Sequence, residues 1–117
     1  MLFRSTLKMP ILKQKVFFNA ITSAETTPWY ALDYRRDKGG TTRSIEGTLT
    51  AGDTIYVEST NEALYDAANA SATTPTVIVT IGSFTTSPFS ALIEGPQVGL
   101  RIRKSGTTGP ATVIGVI

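Results

Sequence analysis

The residues that could carry out chemistry in this chain of 117 residues are few, because it contains neither histidine nor cysteine. Histidine is the commonest general base and metal ligand, and cysteine supplies thiolate nucleophiles, zinc ligands and disulfides. A serine or threonine nucleophile would need a lysine or a carboxylate as its base, and no G-x-S-x-G motif occurs. The sequence therefore predicts a protein that is not an enzyme and that uses no cofactor.

A charged stretch, DYRRDKGG (33–40), is the first candidate for a metal or phosphate site. Asp33 and Asp37 could hold a cation, but the regular oxygen-ligand spacing of a calcium loop is missing. The Gly-Gly pair lacks the lysine of a phosphate-binding G-x-x-x-x-G-K-[ST] loop. We therefore interpret the stretch as an exposed loop in which the carboxylates pair with neighbouring cations.

Four aromatic residues, Trp29, Tyr30, Tyr34 and Tyr56, suggest a sugar-binding platform or, alternatively, core packing. Trp29 and Tyr30 are adjacent, so on a strand they face opposite sides and at most one of them joins a given platform. This pattern favours core packing. A carbohydrate-binding module with a weak glycan contact is kept as a distant alternative.

Near the carboxyl end, Arg101, Arg103 and Lys104 predict a basic stripe on one face of a strand. The alternation places Leu100 and Ile102 on the opposite face. A solvated sheet face is one explanation of the stripe. Planar arginines on a strand also suit carboxylates of a neighbouring subunit, which makes an interface the second explanation.

The segments that must position these residues have the composition of strands. The chain is 41% hydrophobic and only 17% charged, whereas about a quarter of the residues are charged in a typical soluble domain. Threonine, which suits a pleated strand, takes the place of many of the missing charged residues. Turn signals recur about every ten residues, as in an antiparallel β-sandwich or a jelly-roll-like small barrel. We expect one such domain over residues 16–117. Its predicted strands are 15–21, 29–34, 42–50, 53–59, 76–84, a shorter one within 87–96, 98–103 and 111–117.

Connections between these segments carry their own predictions. Ala51-Gly52 predicts a hairpin, and KSGTTGP (104–110) predicts a second one that closes the chain. The Val/Ile-rich segment 76–84 is expected to be a central strand covered on both faces, and 87–96, bounded by prolines, an edge strand. Residues 59–75 are either short helical turns, capped by Ser59 and Glu62, or a long loop.

The first 15 residues mix basic and apolar side chains around Pro10. Because Arg4, Lys8 and Lys13 interrupt the apolar residues, the segment predicts neither a signal peptide nor a membrane span. It is either an extended N-terminal arm or an ordinary first strand with a frayed end. The net charge of +2, with both signs interspersed, gives no strong field for nucleic acid. We expect a soluble protein that is made in the cytoplasm.

Two motifs of the carboxy-terminal part resemble a known family. The first has the form T-x-Y-V-E-x-T, and the second is a P-x-x-x-hydrophobic-R segment that leads through a small-residue G-T/T-G turn into an apolar strand. Together they are similar to the short all-β virion structural proteins of tailed bacteriophages. The matching positions are Thr54, Tyr56, Val57, Glu58, Thr60, Pro96, Leu100, Arg101, Gly106, Thr107, Gly109 and 111–117.

This resemblance implies a capsid decoration (cement) protein that bridges neighbouring major capsid subunits, or alternatively a phage tail, neck or fibre-adaptor subunit. It places the protein in the virion, with the major capsid protein and copies of itself as partners, and with neither nucleic acid nor membrane among them. The arm would act as a strap, and the outward arginines would meet the partner. The expected partner-binding residues are Leu2, Phe3, Arg4, Leu7, Lys8, Ile11, Leu12, Arg101 and Arg103.

Overall fold

The computed structural model describes residues 14–32, 43–93 and 97–116. This part of the chain is built from β-strands and turns without an α-helix, and it contains no helix long and apolar enough to cross a membrane. The predicted all-β class is confirmed. The strands are β1 (Gln14–Ile21), β2 (Tyr30–Ala31), β3 (Arg43–Thr48), β4 (Thr54–Thr60), β5 (Tyr65–Asp66), β6 (Ser71–Ala72), β7 (Val79–Phe84), β8 (Phe89–Ile93), β9 (Gly99–Ser105) and β10 (Ala111–Val116).

Eight of these strands form two antiparallel sheets, and β5 and β6 form a separate short hairpin. The first sheet has the order β1-β10-β3-β8 and the second the order β2-β9-β4-β7. With β5 and β6 left aside, each strand lies in the opposite sheet from the strand that precedes it in the chain. The exception is β7, which comes next after β4, lies in the same sheet and pairs with it. This is the strand order of a jelly roll. Of the two predicted forms, an antiparallel β-sandwich or a jelly-roll-like small barrel, the structure is a two-sheet sandwich with jelly-roll strand order.

The hydrophobic core lies between the two sheets. Alternate residues of each strand point inward, so that Ile45 and Val113 of the first sheet meet Ile55, Leu100 and Ile102 of the second, all with 0% exposure. Burying one such side chain contributes roughly 1.5–3 kcal/mol before entropy is subtracted. The predicted placement of Leu100 and Ile102 on one face of the 98–103 strand is therefore confirmed.

Both predicted hairpins are wrong, although their turn residues were recognised correctly. Gly52 and Gly106 adopt φ angles of +101° and +104°, which glycine tolerates and other residues rarely do. However, β3 and β10 lie in the first sheet, whereas β4 and β9 lie in the second. Each turn thus carries the chain from one sheet to the other. A turn signal specifies a reversal of direction but not the strand with which the next segment pairs.

The predicted central position of segment 76–84 is also wrong. β7 is an edge strand of the second sheet, paired only with β4 among the described strands. Val77 and Val79 are 63% and 53% exposed. A continuous apolar run is typical of a strand buried on both faces, but here it lies at an open edge. The prediction of an edge strand in 87–96 is confirmed by β8, the last strand of the first sheet.

Residues 61–75 form the β5–β6 hairpin and its flanking loops, so the loop alternative is correct. Glu62 does not cap a helix. Its carboxylate accepts hydrogen bonds from the backbone N–H of Val77 and of Thr76, and these bonds lower its pKa from the usual value. Glu62 therefore fixes the chain just before β7.

The first described strand overlaps the predicted arm. Gln14 and Lys15, which the sequence assigned to the arm, pair with Val116 and Gly115 of β10. The seven arm residues expected to bind a partner lie outside the described residues, in segment 1–13. They are Leu2, Phe3, Arg4, Leu7, Lys8, Ile11 and Leu12.

Candidate functional site

Arg101 and Arg103 lie on the outer face of the second sheet. Their neighbours Leu100 and Ile102 point into the core, so the pleat of β9 directs both arginines outward. In the β4–β9 register, Glu58 is opposite Arg101 and Tyr56 is opposite Arg103. One carboxylate and one aromatic ring thus stand beside the two cations.

Glu58 joins the two arginines. Its Oε1 atom accepts a hydrogen bond from Arg101 Nε at 2.7 Å. Its Oε2 atom accepts one from Arg103 Nε at 3.2 Å and lies 3.1 Å from Arg103 Nη2. The Glu58 side chain is only 5% exposed. Charge-assisted hydrogen bonds of this kind are about twice as strong as neutral ones, so the carboxylate holds both guanidinium groups in place.

Two aromatic rings complete the arrangement. The guanidinium carbon of Arg101 lies 4.8 Å from the ring centroid of Trp29, and that of Arg103 lies 4.0 Å from the ring of Tyr56. Both distances are within the range of cation–π attraction. We call this group, Trp29, Tyr56, Glu58, Arg101 and Arg103, the arginine ladder.

The arginine ladder carries a net charge of +1 and remains accessible. The side chains of Arg101 and Arg103 are 23% and 37% exposed, so part of each guanidinium faces solvent. A guanidinium has five N–H donors, and Glu58 uses only some of them. The remaining donors are available to carboxylates of another molecule.

The described aromatic residues do not form a flat sugar platform. Trp29 and Tyr56 are covered by arginines, and Tyr30 has Lys15 Nζ 4.9 Å from its ring centroid. Tyr30 also packs edge-on against Phe17, beside the core. The prediction that Trp29 and Tyr30 face opposite sides is confirmed. Tyr34 lies outside the described residues.

Lys104 is not part of the basic stripe, which corrects the sequence-based prediction. It follows Arg103 directly and therefore points to the opposite side of β9. Its Nζ atom lies 3.2 Å from Oδ2 of Asp53, and both side chains have 0% exposure. We call this ion pair the buried clasp.

The buried clasp links the two turns that cross between the sheets. Asp53, at the start of β4, accepts hydrogen bonds from the backbone N–H of Thr108 at 3.0 Å and of Gly109 at 3.2 Å. Lys104 donates to the carbonyl oxygens of Gly106 at 2.6 Å and of Thr22 at 3.3 Å. A buried ion pair stabilises a fold only when such additional partners offset the cost of desolvation.

The Asp53 carboxyl of the buried clasp has a strongly lowered pKa. Burial raises the pKa of the Asp53 carboxyl, but hydrogen bonds from Thr108, Lys104 and Gly109 outweigh this effect and lower the pKa to about 2. The Asp53 carboxylate therefore stays ionised beside the Lys104 ammonium, 3.2 Å away.

A groove of about 470 Å³ lies on the outer face of the first sheet, next to β8. Phe89 and Ile114 contribute apolar surface, and Glu46 is the one charged side chain among the described residues of its lining. The groove is therefore mainly apolar in the part of the chain that the structure describes.

Within residues 14–32, 43–93 and 97–116, no group of three or more His, Cys, Asp or Glu side chains could hold a metal ion. The charged stretch 33–40, with Asp33 and Asp37, lies outside these residues. Sequence reasoning also missed Glu58 as the partner of the arginines. The residue was visible in the T-x-Y-V-E-x-T motif, but it is 43 positions from Arg101 and no local pattern joins the two.

Comparison with known proteins found no matching family model, no matching curated protein and no matching solved structure.

Proposed function

We propose that this protein is a non-enzymatic structural protein of a tailed-phage virion, and specifically a capsid decoration protein that bridges neighbouring major capsid subunits. The observation that carries the proposal is the arginine ladder, a partly exposed and internally braced row of side chains on a sheet face. Such a row is suited to binding another protein. The proposal combines this surface with the resemblance of the two carboxy-terminal motifs.

The arginine ladder favours an acidic partner. Arginine binds carboxylates in a planar, two-pronged geometry that lysine does not reproduce. Glu58 and the two rings already restrain the guanidinium groups, so less side-chain entropy is lost when a partner binds. We therefore expect Arg101 and Arg103 to contact carboxylates of a capsid subunit.

The jelly-roll order is compatible with this role. Jelly rolls occur in viral capsid proteins and lectins, among other classes. A fold shared by several classes does not assign a function, so this likeness supports the proposal only as an analogy. Surface chemistry has to carry the argument, and the covered aromatic rings favour a protein partner over a sugar.

The N-terminal segment would supply a second contact. Its apolar residues Leu2, Phe3, Leu7, Ile11 and Leu12 would dock on the neighbouring subunit. Its cations, Arg4 and Lys8 among them, would meet acidic side chains there. Charged side chains at the rim of an interface mainly raise the association rate, whereas buried apolar side chains supply most of the binding free energy.

Cryo-electron microscopy of virions that carry this protein tests the location directly. We expect density for the jelly roll in many copies over the head surface, at sites where capsid subunits meet. A few copies at one vertex or along the tail would support the tail, neck or fibre-adaptor alternative. Absence from purified particles would contradict the virion proposal as a whole.

Particle binding by purified variants tests the contacts. Deletion of residues 2–12 should leave the jelly roll folded, as judged by circular dichroism, but reduce occupancy on particles that lack the protein. The double variant Arg101→Lys/Arg103→Lys keeps the charge but loses the planar geometry, so its occupancy should also fall. Unchanged occupancy of both variants would refute the proposed contacts.

A further inference from the structure

The open edge at β7 has an unusual exposure pattern. All residues from Thr76 to Ile81 are exposed, and four of them are large and aliphatic. Val77 is 63%, Ile78 39%, Val79 53% and Ile81 37% exposed. Among the described strands only β4 pairs with β7, so the other side of β7 offers backbone N–H and C=O groups to a further strand.

Natural proteins usually protect such an edge with lysine, proline, an inward charge or a bulge. Residues 67–93 contain no Asp, Glu, Lys or Arg at all. Proline occurs before and after β7, at Pro75 and Pro88, but not within it. A register shift opposite Val57 and Glu58 is the one protective feature. An uncharged, β-branched edge of this kind is expected to be covered in the native assembly.

We propose that β7 pairs antiparallel with β7 of a second copy of this chain, which joins the second sheets of the two copies into one continuous sheet. This inference goes beyond the proposed function and does not depend on it. Two identical edges related by a two-fold axis present the same surface to each other, as in isologous dimers. The backbone hydrogen bonds supply the pairing, and the exposed aliphatic side chains supply the contact surface.

Charge identifies a second copy as the favoured occupant. An acidic or basic partner would gain nothing from a segment without a single charged residue. Two copies of the same segment meet without like-charge repulsion, and β-branched and threonine pairs across strands are favourable. The carboxylates of Glu58, on the neighbouring strand, and of Glu62 are already engaged, Glu58 by the arginines and Glu62 by the backbone of Thr76 and Val77.

The first test compares two lysine substitutions at exposed aliphatic edge residues. Val79→Lys places a charge on β7, whereas Leu92→Lys, at a residue that is 66% exposed on β8, is the matched control. We expect the purified full chain to dimerise in analytical ultracentrifugation, and Val79→Lys to weaken the dimer at least roughly tenfold, or about 1.4 kcal/mol. Leu92→Lys should leave the dimer intact.

The second test uses the absence of native cysteine, which makes any introduced thiol unique. Single cysteines at Val79, Thr80, Ile81 and Ser83 are oxidised and scored for disulfide-linked dimers. Gly82 is omitted because a Cβ there would lie 2.6 Å from the Phe84 ring. Thr48→Cys on β3, in the interior of the first sheet, is the control. An antiparallel pair brings identical residues together only at its two-fold axis, so one position should cross-link best.

Several results would overturn the inference. They are a wild-type chain that stays monomeric at all concentrations, a dimer that survives Val79→Lys, and equal loss of the dimer in Leu92→Lys. If Val79→Lys does not fold, as judged by circular dichroism, the cysteine variants alone test the inference. Equal cross-linking at all four β7 positions and at Thr48 would then reject the proposed pairing. None of these measurements uses phage particles. A failure here therefore leaves the proposed virion role untouched, and the reverse also holds.

Discussion

The buried clasp and the edge strand β7 differ in whether their polar groups have hydrogen-bond partners within the described part of the chain. Asp53 and Lys104 are charged, fully buried and supplied with hydrogen-bond partners from the β9–β10 turn and from Thr22. β7 has no charged side chain, is exposed, and leaves the backbone on one side unpaired among the described strands. The clasp satisfies its polar groups within one chain, whereas the free side of β7 leaves its backbone groups to water or to another strand.

This difference separates two physical properties of the molecule. The clasp fixes the crossings that define the jelly roll, so its loss should lower the stability of the fold itself. The edge contributes little to the isolated fold because its side chains already contact water. Its loss should instead alter association. The following predictions test this separation, from the largest expected effect to the smallest.

Lys104→Met should have the largest effect on stability. Removal of the ammonium leaves the Asp53 carboxylate buried without its ion partner, and breaking a buried pair in this way typically costs roughly 3–5 kcal/mol. Denaturant titration of the free energy of unfolding measures the change. The free energy should fall equally at all protein concentrations, because the clasp lies within one chain.

Lys15→Met is the matched control for this substitution. Lys15 is partly exposed and contacts the rings of Phe17 and Tyr30, so its loss should cost no more than about 1 kcal/mol. Equal free energies of unfolding for the Lys104→Met and Lys15→Met variants would show that the clasp does not stabilise the fold.

Acid should weaken the clasp in the wild-type protein by a smaller amount. The pKa of Asp53 is lowered in the folded state from 3.8 to about 2, so its stabilising contribution is complete above pH 3.8 and is lost as the pH falls through about 2. Glu62 and Asp66 also have lowered pKa values and act in the same direction. Asp53→Asn removes the titration of Asp53 alone.

Unfolding of the wild type and of Asp53→Asn across this pH range isolates the effect of the clasp. The stability difference between the two proteins should shrink as the pH falls, because the wild type then loses the same charge that the variant lacks. The contributions of Glu62 and Asp66 cancel in this difference. A constant difference down to the lowest pH would mean that the Asp53 charge does not stabilise the fold.

Much of the strand pattern was predictable from the sequence, because alternation is a local property. Leu100 and Ile102 were assigned to the same face by their spacing, and both are fully buried. The outward direction of Arg101 and Arg103 followed from the same rule. The all-β class and the face to which a side chain points were therefore predictable, because both depend on residues only a few positions apart.

Pairing between distant segments was not predictable. The turn at Gly52 looks the same in sequence whether β4 pairs with β3 or crosses to the other sheet. The order of strands also decides whether the apolar run 76–84 is central or at an edge. Similarly, the partners of Lys104 and Arg101 lie on other segments, so both ion pairs escaped prediction.

Val79→Lys should have the smallest effect on the stability of the single chain, within about 0.5 kcal/mol, because Val79 is already 53% exposed. Its effect should appear in the dependence of stability on protein concentration. A dimer that forms only from folded chains adds stability as concentration rises, so the wild-type melting temperature should increase with concentration. The Val79→Lys melting temperature should stay constant.

Melting curves over a dilution series measure both quantities, and Lys104→Met completes the comparison. That variant should melt lower than the wild type at every concentration but keep the upward slope, because its β7 edge is intact. Val79→Lys should show the reverse: a melting temperature close to that of the dilute wild type, which does not change with protein concentration. If Lys104→Met lost the slope, or Val79→Lys lowered the melting temperature of the dilute chain as strongly, the clasp and the edge would be one coupled unit. Stability and association would then not be separable in this jelly roll.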